Sequence, residues 1–339
     1  MSERLIRFGS GAIDALTEVL ATLGVGRALL VTTERGARSP LGAPLAGTFE
    51  GVRPHVPLAT VRAGAQRARE LGADGLIALG GGSAIDTAKA IVAELACEPA
   101  LPIVAVPTTY AGAEWTPYYG VLLAPGHKGG GADERCRPAA ALYDPELTAG
   151  LPLHASVGTA LNALAHCAEA YYHPASTEAA ATSADRGGAA LAEGLPRLVE
   201  EGDSLEVRTL LLEGAMHAAL ALADSGLCLG HAMAQGLGGR FGLPQGTMNA
   251  LCLPVAIGFN EPVVPREVER FGRAIGAADA KAGARALAGL GRFGRLRDHG
   301  VPAEALPSVA REVSERGGAK ANPRPAGPDE VAALLSEIW

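Results

Sequence analysis

The clearest indication of the fold is the segment Leu76-Ile-Ala-Leu-Gly-Gly-Gly-Ser-Ala-Ile-Asp-Thr-Ala-Lys-Ala90. Its first four residues form a short apolar run that is typical of a buried strand. Three glycines, residues 80–82, follow directly. Ser83 then stands at a helix N-cap position, three residues before Asp86, as in a capping box. The pattern predicts a strand, a glycine turn and the start of a helix.

The triple glycine indicates an anion-binding site. A glycine backbone can approach a bulky anion closely, and a helix start offers free N–H groups and the positive end of its dipole to a pyrophosphate. The alternative is a plain strand-to-helix turn with a glycine-rich corner. The stretch matches neither the G-x-G-x-x-G pattern nor a P-loop, which ends in Gly-Lys-Ser/Thr. Its meaning therefore depends on the rest of the chain.

Composition indicates a globular protein with an ample core. The 339 residues are 48% apolar and 19% charged, with a mean hydropathy of +0.18 and a formal net charge of −7. This length favours two domains. Because no long basic run is present, we expect no nucleic-acid partner. No apolar window approaches the length of a membrane span, so we expect no membrane association.

Cysteine use and the N-terminal sequence predict a cytoplasmic location. The five cysteines contain no C-x-x-C pair, which suits reduced thiols better than a disulfide framework. They are Cys97, Cys136, Cys167, Cys228 and Cys252. The first seven residues lack the apolar run of a signal peptide.

Strands and helices alternate in the first half of the chain, which predicts an α/β fold with a parallel sheet. We expect a helix, a turn and a strand within 41–58. Residues 118–123 and 139–143 resemble a pair of strands around a hairpin-like excursion at 126–134. The other expected elements are an edge strand at 5–8, a helix after 8–11, buried strands at 27–32 and 101–107, and a helix at 60–70.

The loop after the strand at 27–32 bears on cofactor choice. It places Thr33, Glu34 and Arg35 side by side. In a dinucleotide fold an acidic residue here favours the ribose hydroxyl of NAD, whereas an arginine favours the 2′-phosphate of NADP. The choice between NADH and NADPH therefore stays open, and a solvated surface loop is the alternative for each charged residue.

From about residue 150 onward helical periodicity replaces the strand patterns. We therefore predict an α/β domain at residues 1–150 and an all-helical domain at 151–339. Helices are expected at 155–171, 175–199, 205–224, 226–238, 247–257, 264–275, 279–291, 302–315 and 328–337.

Two polar stretches in the helical half carry candidate chemistry. Asn162 and His166 are four residues apart, and so are His231 and Gln235, so the members of each pair share a helix face. Gln245 follows in the loop after the second pair. Spacing alone favours packing or surface roles over a metal site for such pairs.

Seven segments, in order along nearly the whole chain, together match a known family. They are Phe8–Gly11, Gly80–Ala90, Pro107–Pro117, Tyr143–Leu147, Asn162–Ala170, Gly238–Pro244 and Asn322–Pro325. The chain thus resembles the iron-containing alcohol dehydrogenase family of the dehydroquinate synthase-like superfamily. The Pro-Thr-Thr-Tyr-Ala-Gly form after residue 106 makes it most similar to the maleylacetate reductase branch.

The resemblance implies an N-terminal α/β dinucleotide-binding domain with a Rossmann-like parallel sheet and an all-α C-terminal domain that completes an active-site cleft. It also implies a homodimer and NAD(H) or NADP(H) as cofactor. The candidate cofactor-binding residues are Thr33, Gly80, Gly81, Gly82, Ser83, Asp86, Thr108, Thr109 and Leu147.

In metal-dependent members of the family, an Asp and three His bind a divalent cation, and a further His lies near the substrate. The matching ligand positions here are Asn162, His166, His231 and Gln245, and the substrate-side position is Gln235. Two ligands have thus become neutral amides, whereas Fe²⁺ and Zn²⁺ prefer imidazole, thiolate or carboxylate. The resemblance implies an Asn at the first position in the reductase branch too, but a His where Gln245 stands. We therefore expect a degenerate site without metal.

We predict an NAD(P)H-dependent reductase that transfers hydride to a small unsaturated or oxo acid. His166 and His231 would polarise the acceptor and stabilise an enolate oxygen, as catalytic residues. Tyr110 is a third catalytic candidate, as a proton carrier or carboxylate binder. The candidate substrate-binding residues are Thr116, Asn162, Gln235 and Gln245. For Tyr110 and Thr116 the alternative is structural hydrogen bonding within the loop.

Two other functions stay open. A repurposed homologue would use the same fold for cyclisation, elimination or condensation in a biosynthetic pathway, since Gln235 and Gln245 replace groups that most redox members keep. A non-catalytic binding protein is a weaker alternative, because folding alone does not explain why His166 and His231 are kept together with the glycine turn.

Overall fold

The computed structural model describes residues 4–38, 41–124 and 127–339. The chain divides into two compact units, one ending at Ala149 and the other running from Gly150 to Trp339. The first unit is built of strands and helices. In the second, which is described throughout, every regular element is a helix.

A six-stranded parallel sheet forms the first unit, in the order β1-β8-β5-β4-β2-β3. The four central strands are short apolar runs whose residues are almost all buried, as expected when helices cover both faces. The strands are β1 (Leu5–Phe8), β2 (Ala28–Val31), β3 (Leu45–Phe49), β4 (Gly75–Gly80), β5 (Ile103–Pro107) and β8 (Ala140–Tyr143). The helices are α1 (Leu16–Thr22), α2 (Leu58–Leu71) and α3 (Gly82–Leu95). The predicted Rossmann-like parallel sheet and the edge position of β1 are confirmed.

Two predictions for this unit are wrong. Residues 118–123 and 139–143 are not partners, because β6 (Tyr118–Ala124) pairs antiparallel with β7 (His127–Ala132). Strand β8 instead lies between β1 and β5, where its four buried apolar residues fit. Residues 41–57, all described, contain β3 and no helix. Gly42, Pro44 and Gly47 explain this, since glycine and proline disfavour helix.

The start of α3 also differs from the prediction. Gly81 is the N-cap, and no described side chain caps the helix. Ser83 lies within the first turn, where its carbonyl accepts a hydrogen bond from the Thr87 hydroxyl at 2.6 Å. Asp86 forms no capping box, because its Oδ2 accepts the N–H of Gly120 at 3.1 Å. The N-terminus of α3 therefore has no side-chain cap, and the Asp86 carboxylate instead binds the backbone of the β6–β7 hairpin.

Lys89 ties the loop after β5 and the start of β6 to α3. Its ammonium group is fully buried. It donates hydrogen bonds to the carbonyls of Ala113 and Tyr118, the latter at 2.7 Å, and lies 3.4 Å from the Thr116 hydroxyl. Asp86 lies 3.6 Å away and is the partner of its charge. One buried cation thus ties both the loop after β5 and the first residue of the β6–β7 hairpin to α3.

Helix α4 runs through the middle of the second unit and packs against α5, α6 and α8. Sixteen of its 20 residues are buried, so polar side chains on it are enclosed by other helices. The helices are α4 (Leu153–Tyr172), α5 (Glu178–Glu201), α6 (Leu205–Ala223), α7 (Leu229–Phe241), α8 (Gln245–Asn260), α9 (Pro265–Ala274), α10 (Ala280–Gly289), α11 (Leu306–Ser314), α12 (Gly317–Lys320) and α13 (Pro328–Glu337). Among the helices that the structure describes, none has the length and apolar character needed to cross a membrane.

We expect Lys89→Met to lower the free energy of unfolding by about 2–4 kcal/mol, because buried carbonyl oxygens lose their donor while the side-chain volume is kept. Urea unfolding followed by circular dichroism measures this loss. Arg62→Met is the control, since Arg62 is exposed and lies 3.8 Å from Glu94. Equal effects of the two substitutions would contradict the role assigned to Lys89.

Candidate active site

In the first unit, glycine backbone lines the carboxyl ends of β4 and β5. Gly80 pairs with Pro107, and the Thr108 N–H donates to the Gly80 carbonyl at 3.0 Å. Gly80 has φ +148°, a conformation that residues with side chains rarely adopt. A Cβ on Gly81 would lie 2.9 Å from the side chain of Thr109. Glycine is therefore favoured at both positions, and the turn leads directly into the start of α3, where a helix leaves N–H groups without intrahelical partners.

The other candidate cofactor residues follow neighbouring strands of the same sheet. Thr33 follows β2, and its hydroxyl accepts the N–H of Gly36 at 3.2 Å. Leu147 lies in the 3-10 helix Pro145–Thr148 that follows β8. Since β8, β5, β4 and β2 are adjacent and parallel, the structure brings these residues to one edge of the sheet. That edge is where open α/β sheets bind ligands.

The side chains in the loop after β5 are engaged in the fold. Tyr110 is fully buried and Thr116 is only 3% exposed, against Lys89. Glu114 is buried as well and accepts a hydrogen bond from the Tyr143 hydroxyl at 2.7 Å. Burial raises the pKa of the Glu114 carboxyl above its usual value. The contact of the Thr116 hydroxyl with Lys89 is of the kind expected if Thr116 has a structural role. Catalytic or substrate-binding roles for Tyr110 and Thr116 stay predictions.

In the second unit, His166 of α4 and His231 of α7 form a stacked pair. Their ring centroids are 4.6 Å apart and their planes differ by 11°. Both side chains are buried. Burial, together with the neighbouring His231 ring, holds the pKa of His166 well below its ordinary value. His166 is therefore a neutral imidazole, able both to donate and to accept a hydrogen bond.

Glu169, one turn after His166 on α4, holds the Nδ1 edge of the His231 ring. Its Oε2 lies 2.8 Å from Nδ1 of His231. The same carboxylate accepts the backbone N–H groups of Cys228, at 2.6 Å, and of His231, at 3.0 Å. Nε2 of His231 is buried and has no hydrogen-bond partner among the described residues. Glu169 belongs to a segment matched to the family, but its spacing gave it no role.

Asn162 connects His166 to a residue that the sequence analysis missed. Asn249 of α8 donates from Nδ2 to Oδ1 of Asn162 at 2.5 Å. The amide nitrogen of Asn162 then lies 3.5 Å from Nε2 of His166. Asn249 is buried and stands four residues after Gln245, the same spacing as in the two predicted pairs. That spacing was the available signal, and it points here to a polar cluster.

The two glutamines lie on the same pair of helices. Gln235 is half-buried, one turn after His231 on α7. Gln245 begins α8 rather than lying in a loop, and among the described residues neither its amide oxygen nor its amide nitrogen has a hydrogen-bond partner. A buried amide with both atoms unpaired is costly unless a ligand or water satisfies it. Gln245 therefore keeps hydrogen-bonding capacity for a bound molecule.

Comparison with known proteins identifies relatives along the whole chain. Residues 4–145 match the family described as iron-containing alcohol dehydrogenase, and residues 156–339 match the C-terminal region of Fe-containing alcohol dehydrogenases. The chain is 36% identical to maleylacetate reductase from Sphingobium indicum, over 97% of this chain and 93% of that protein. It is 37% identical to maleylacetate reductase 2 from Cupriavidus pinatubonensis, over 97% and 92%. The crystal structure of maleylacetate reductase from Agrobacterium tumefaciens is 30% identical and superposes with a TM-score of 0.89, covering 100% of this chain and 97% of that chain.

We expect Asn249→Ala to lower the free energy of unfolding by about 1–3 kcal/mol, because it strips a buried carbonyl oxygen, Oδ1 of Asn162, of its donor. Thr209→Ala is the control, since it removes an exposed hydroxyl from α6 and should change stability by no more than about 0.5 kcal/mol. Urea unfolding compares the two. An unchanged free energy of unfolding in Asn249→Ala would contradict a stabilising hydrogen bond between Asn249 and Asn162.

Proposed function

Because the chain belongs to the iron-containing alcohol dehydrogenase family, in its maleylacetate reductase branch, we propose that this oxidoreductase transfers a hydride from NAD(P)H to a small unsaturated or oxo acid. The observation that carries the proposal is the glycine turn at the start of α3. Its shape, its free N–H groups and its place at the carboxyl ends of the strands suit a dinucleotide pyrophosphate.

The first unit would hold the cofactor through backbone and small side chains. Residues 80–83 would contact the pyrophosphate, with Thr108 and Thr109 beside them and Leu147 at the next strand end. A Cβ at Gly81 would press on Thr109, so a side chain there would distort the same surface. NAD(P)H, when bound, supplies the hydride. Thr33 and its charged neighbours leave the choice between NADH and NADPH open.

The second unit would supply the groups that stabilise charge on the substrate. Reduction of an acid with a conjugated C=C or C=O bond places negative charge on an oxygen. Nδ1 of His166 and Nε2 of His231 are both buried ring nitrogens without a hydrogen-bond partner in the described chain. Because Nε2 of His166 faces the amide nitrogen of Asn162, Nδ1 carries the hydrogen of the neutral His166 ring and can donate to that oxygen or to a carboxylate of the acid, as can the unpaired amide of Gln245. Nε2 of His231 can do the same only while it carries a proton.

We propose further that the reaction needs no metal. The donor set at the family's ligand positions contains two imidazoles and two amides, and it lacks the anion that Fe²⁺ and Zn²⁺ sites ordinarily use. In addition, the amide nitrogen of Asn162 faces Nε2 of His166, which places a hydrogen-bond donor where a cation would need a lone pair. These residues fit a metal ion poorly. A homodimer and a cytoplasmic location stay predictions.

Calorimetry with NADH and NADPH, followed by turnover on unsaturated and oxo acids, tests the function. We expect the wild type to bind one of the nucleotides and to oxidise it stoichiometrically with the acid. Gly81→Ala should weaken nucleotide binding roughly tenfold or more, about 1.4 kcal/mol, by displacing Thr109. Gly42→Ala is the control, since its Cβ meets no atom within 4 Å.

Failure of the wild type to bind either nucleotide would overturn the proposal and favour the non-redox alternative.

Zinc binding after chelator treatment tests the metal proposal. We expect the chelated wild type to keep its turnover, and the double variant Asn162→Asp/Gln245→His to bind Zn²⁺ roughly 100-fold more tightly, because it regains an anion and an imidazole. Calorimetry measures both affinities. A wild type that binds one Zn²⁺ tightly and loses activity on chelation would refute metal independence.

A further inference from the structure

Glu169 is a buried carboxylate whose hydrogen bonds all point to one helix start. It stands on α4, is 0% exposed and is not among the positions matched to the family's metal ligands. Its partners are the backbone N–H groups of Cys228 and His231 and the ring Nδ1 of His231. A charge without water is tolerated only when it is fully hydrogen-bonded, as this one is.

The carboxylate serves as an N-cap supplied by another helix. Cys228 is the N-cap residue of α7, and no side-chain cap of its own is formed. Glu169 accepts the N–H of Cys228 and that of His231 three residues later, so it satisfies donors that a helix start leaves free. It also places negative charge at the positive end of the α7 dipole.

Gly230 makes room for this contact. A Cβ on Gly230 would lie 3.0 Å from Oε1 of Glu169 and 3.3 Å from the Cβ of Ala256. Both distances are shorter than ordinary van der Waals contacts, so α7 cannot shift away from Glu169 without pressing on Ala256. A glycine in the first turn of α7 is thus required by the approach of the carboxylate rather than by backbone conformation.

We propose that Glu169 is a positioning residue that fixes the tautomer and orientation of His231. A carboxylate only accepts hydrogen bonds, so Nδ1 of His231 must carry a hydrogen, and in the neutral ring it is Nε2 that holds the lone pair. The ring is held at its Nδ1 edge by Glu169 and covered on one face by His166. Nε2 is therefore the only ring nitrogen of His231 that can meet a bound molecule.

The role of Nε2 in catalysis rests on the proposed function, whereas the tautomer of His231 does not. In the reaction, the hydride adds to the C=C or C=O bond of the acid and a proton completes the reduction. Nε2, once protonated from solvent, would give up that proton and be left with its lone pair. The proton enters and leaves at Nε2, because Nδ1–H stays with Glu169. The tautomer itself is a property of the protein without substrate and is measured separately.

Nuclear magnetic resonance of ¹⁵N-histidine-labelled protein tests the tautomer, with the His231 signals assigned by their loss in His231→Asn. We expect neutral His231 to show a protonated Nδ1 and an unprotonated Nε2. Gly230→Ala leaves both partners intact but pushes the carboxylate away, so it should mix the tautomers. Gly289→Ala, in open space on α10, should leave the spectrum unchanged.

Kinetics of the same proteins supply the second measurement. We expect Gly230→Ala and Glu169→Gln to lower kcat roughly tenfold or more, with nucleotide affinity unchanged, and Glu169→Asp to recover part of the loss because it restores a carboxylate. A neutral His231 ring that carries its hydrogen on Nε2 instead of Nδ1 in the wild type, or an unchanged tautomer in folded Gly230→Ala, would overturn the inference. If the wild type reduces no acid, the proposed function fails, whereas the spectrum still decides the tautomer.

Discussion

One buried carboxylate organises the polar centre of the helical unit. Glu169 satisfies the start of α7 and the ring of His231 at once, and His231 in turn stacks on His166. Removing water from such a group is costly, and the hydrogen bonds offset that cost only if the helices keep their positions. The carboxylate therefore couples the fold of α4 and α7 to the direction of a candidate catalytic nitrogen.

In the α/β unit a buried cation, Lys89, plays the corresponding part by binding backbone carbonyl groups. Lys89 donates hydrogen bonds to the carbonyls of Ala113 and Tyr118, while Asp86 accepts the N–H of Gly120 in the hairpin that follows. Both side chains project from α3, the helix whose bare N-terminus is the candidate phosphate site. The polar residues of this helix thus stabilise the surrounding loops, and the site itself is left to glycine backbone and helix dipole.

Amides in place of metal ligands change what the histidine cluster can do. An aspartate would attract a cation, whereas Asn162 offers one acceptor, which Asn249 occupies, and a donor directed at His166. The cluster thereby becomes a set of buried hydrogen-bonding groups in place of a set of metal ligands. Such a set stabilises developing negative charge on oxygen by oriented donors. Reduction of an unsaturated or oxo acid, as proposed above, creates such a charge, and two relatives of this chain are named maleylacetate reductases.

Local patterns in the sequence predicted the parallel sheet, the longer helices and the glycine turn, since each depends on periodicity or on the absence of side chains. The sequence also placed Asn162 with His166, because a helix repeats its faces every four residues. The folded structure was needed to show that Glu169 contacts His231, 62 residues away, that Asn249 contacts Asn162, 87 residues away, and that β8 lies within the sheet. It likewise gave Asp86 and Lys89 their partners and moved the cap of α3 to Gly81. Such long-range contacts have no periodic signature in the sequence. They depend on how whole helices and strands pack, because that packing determines which polar groups are buried together.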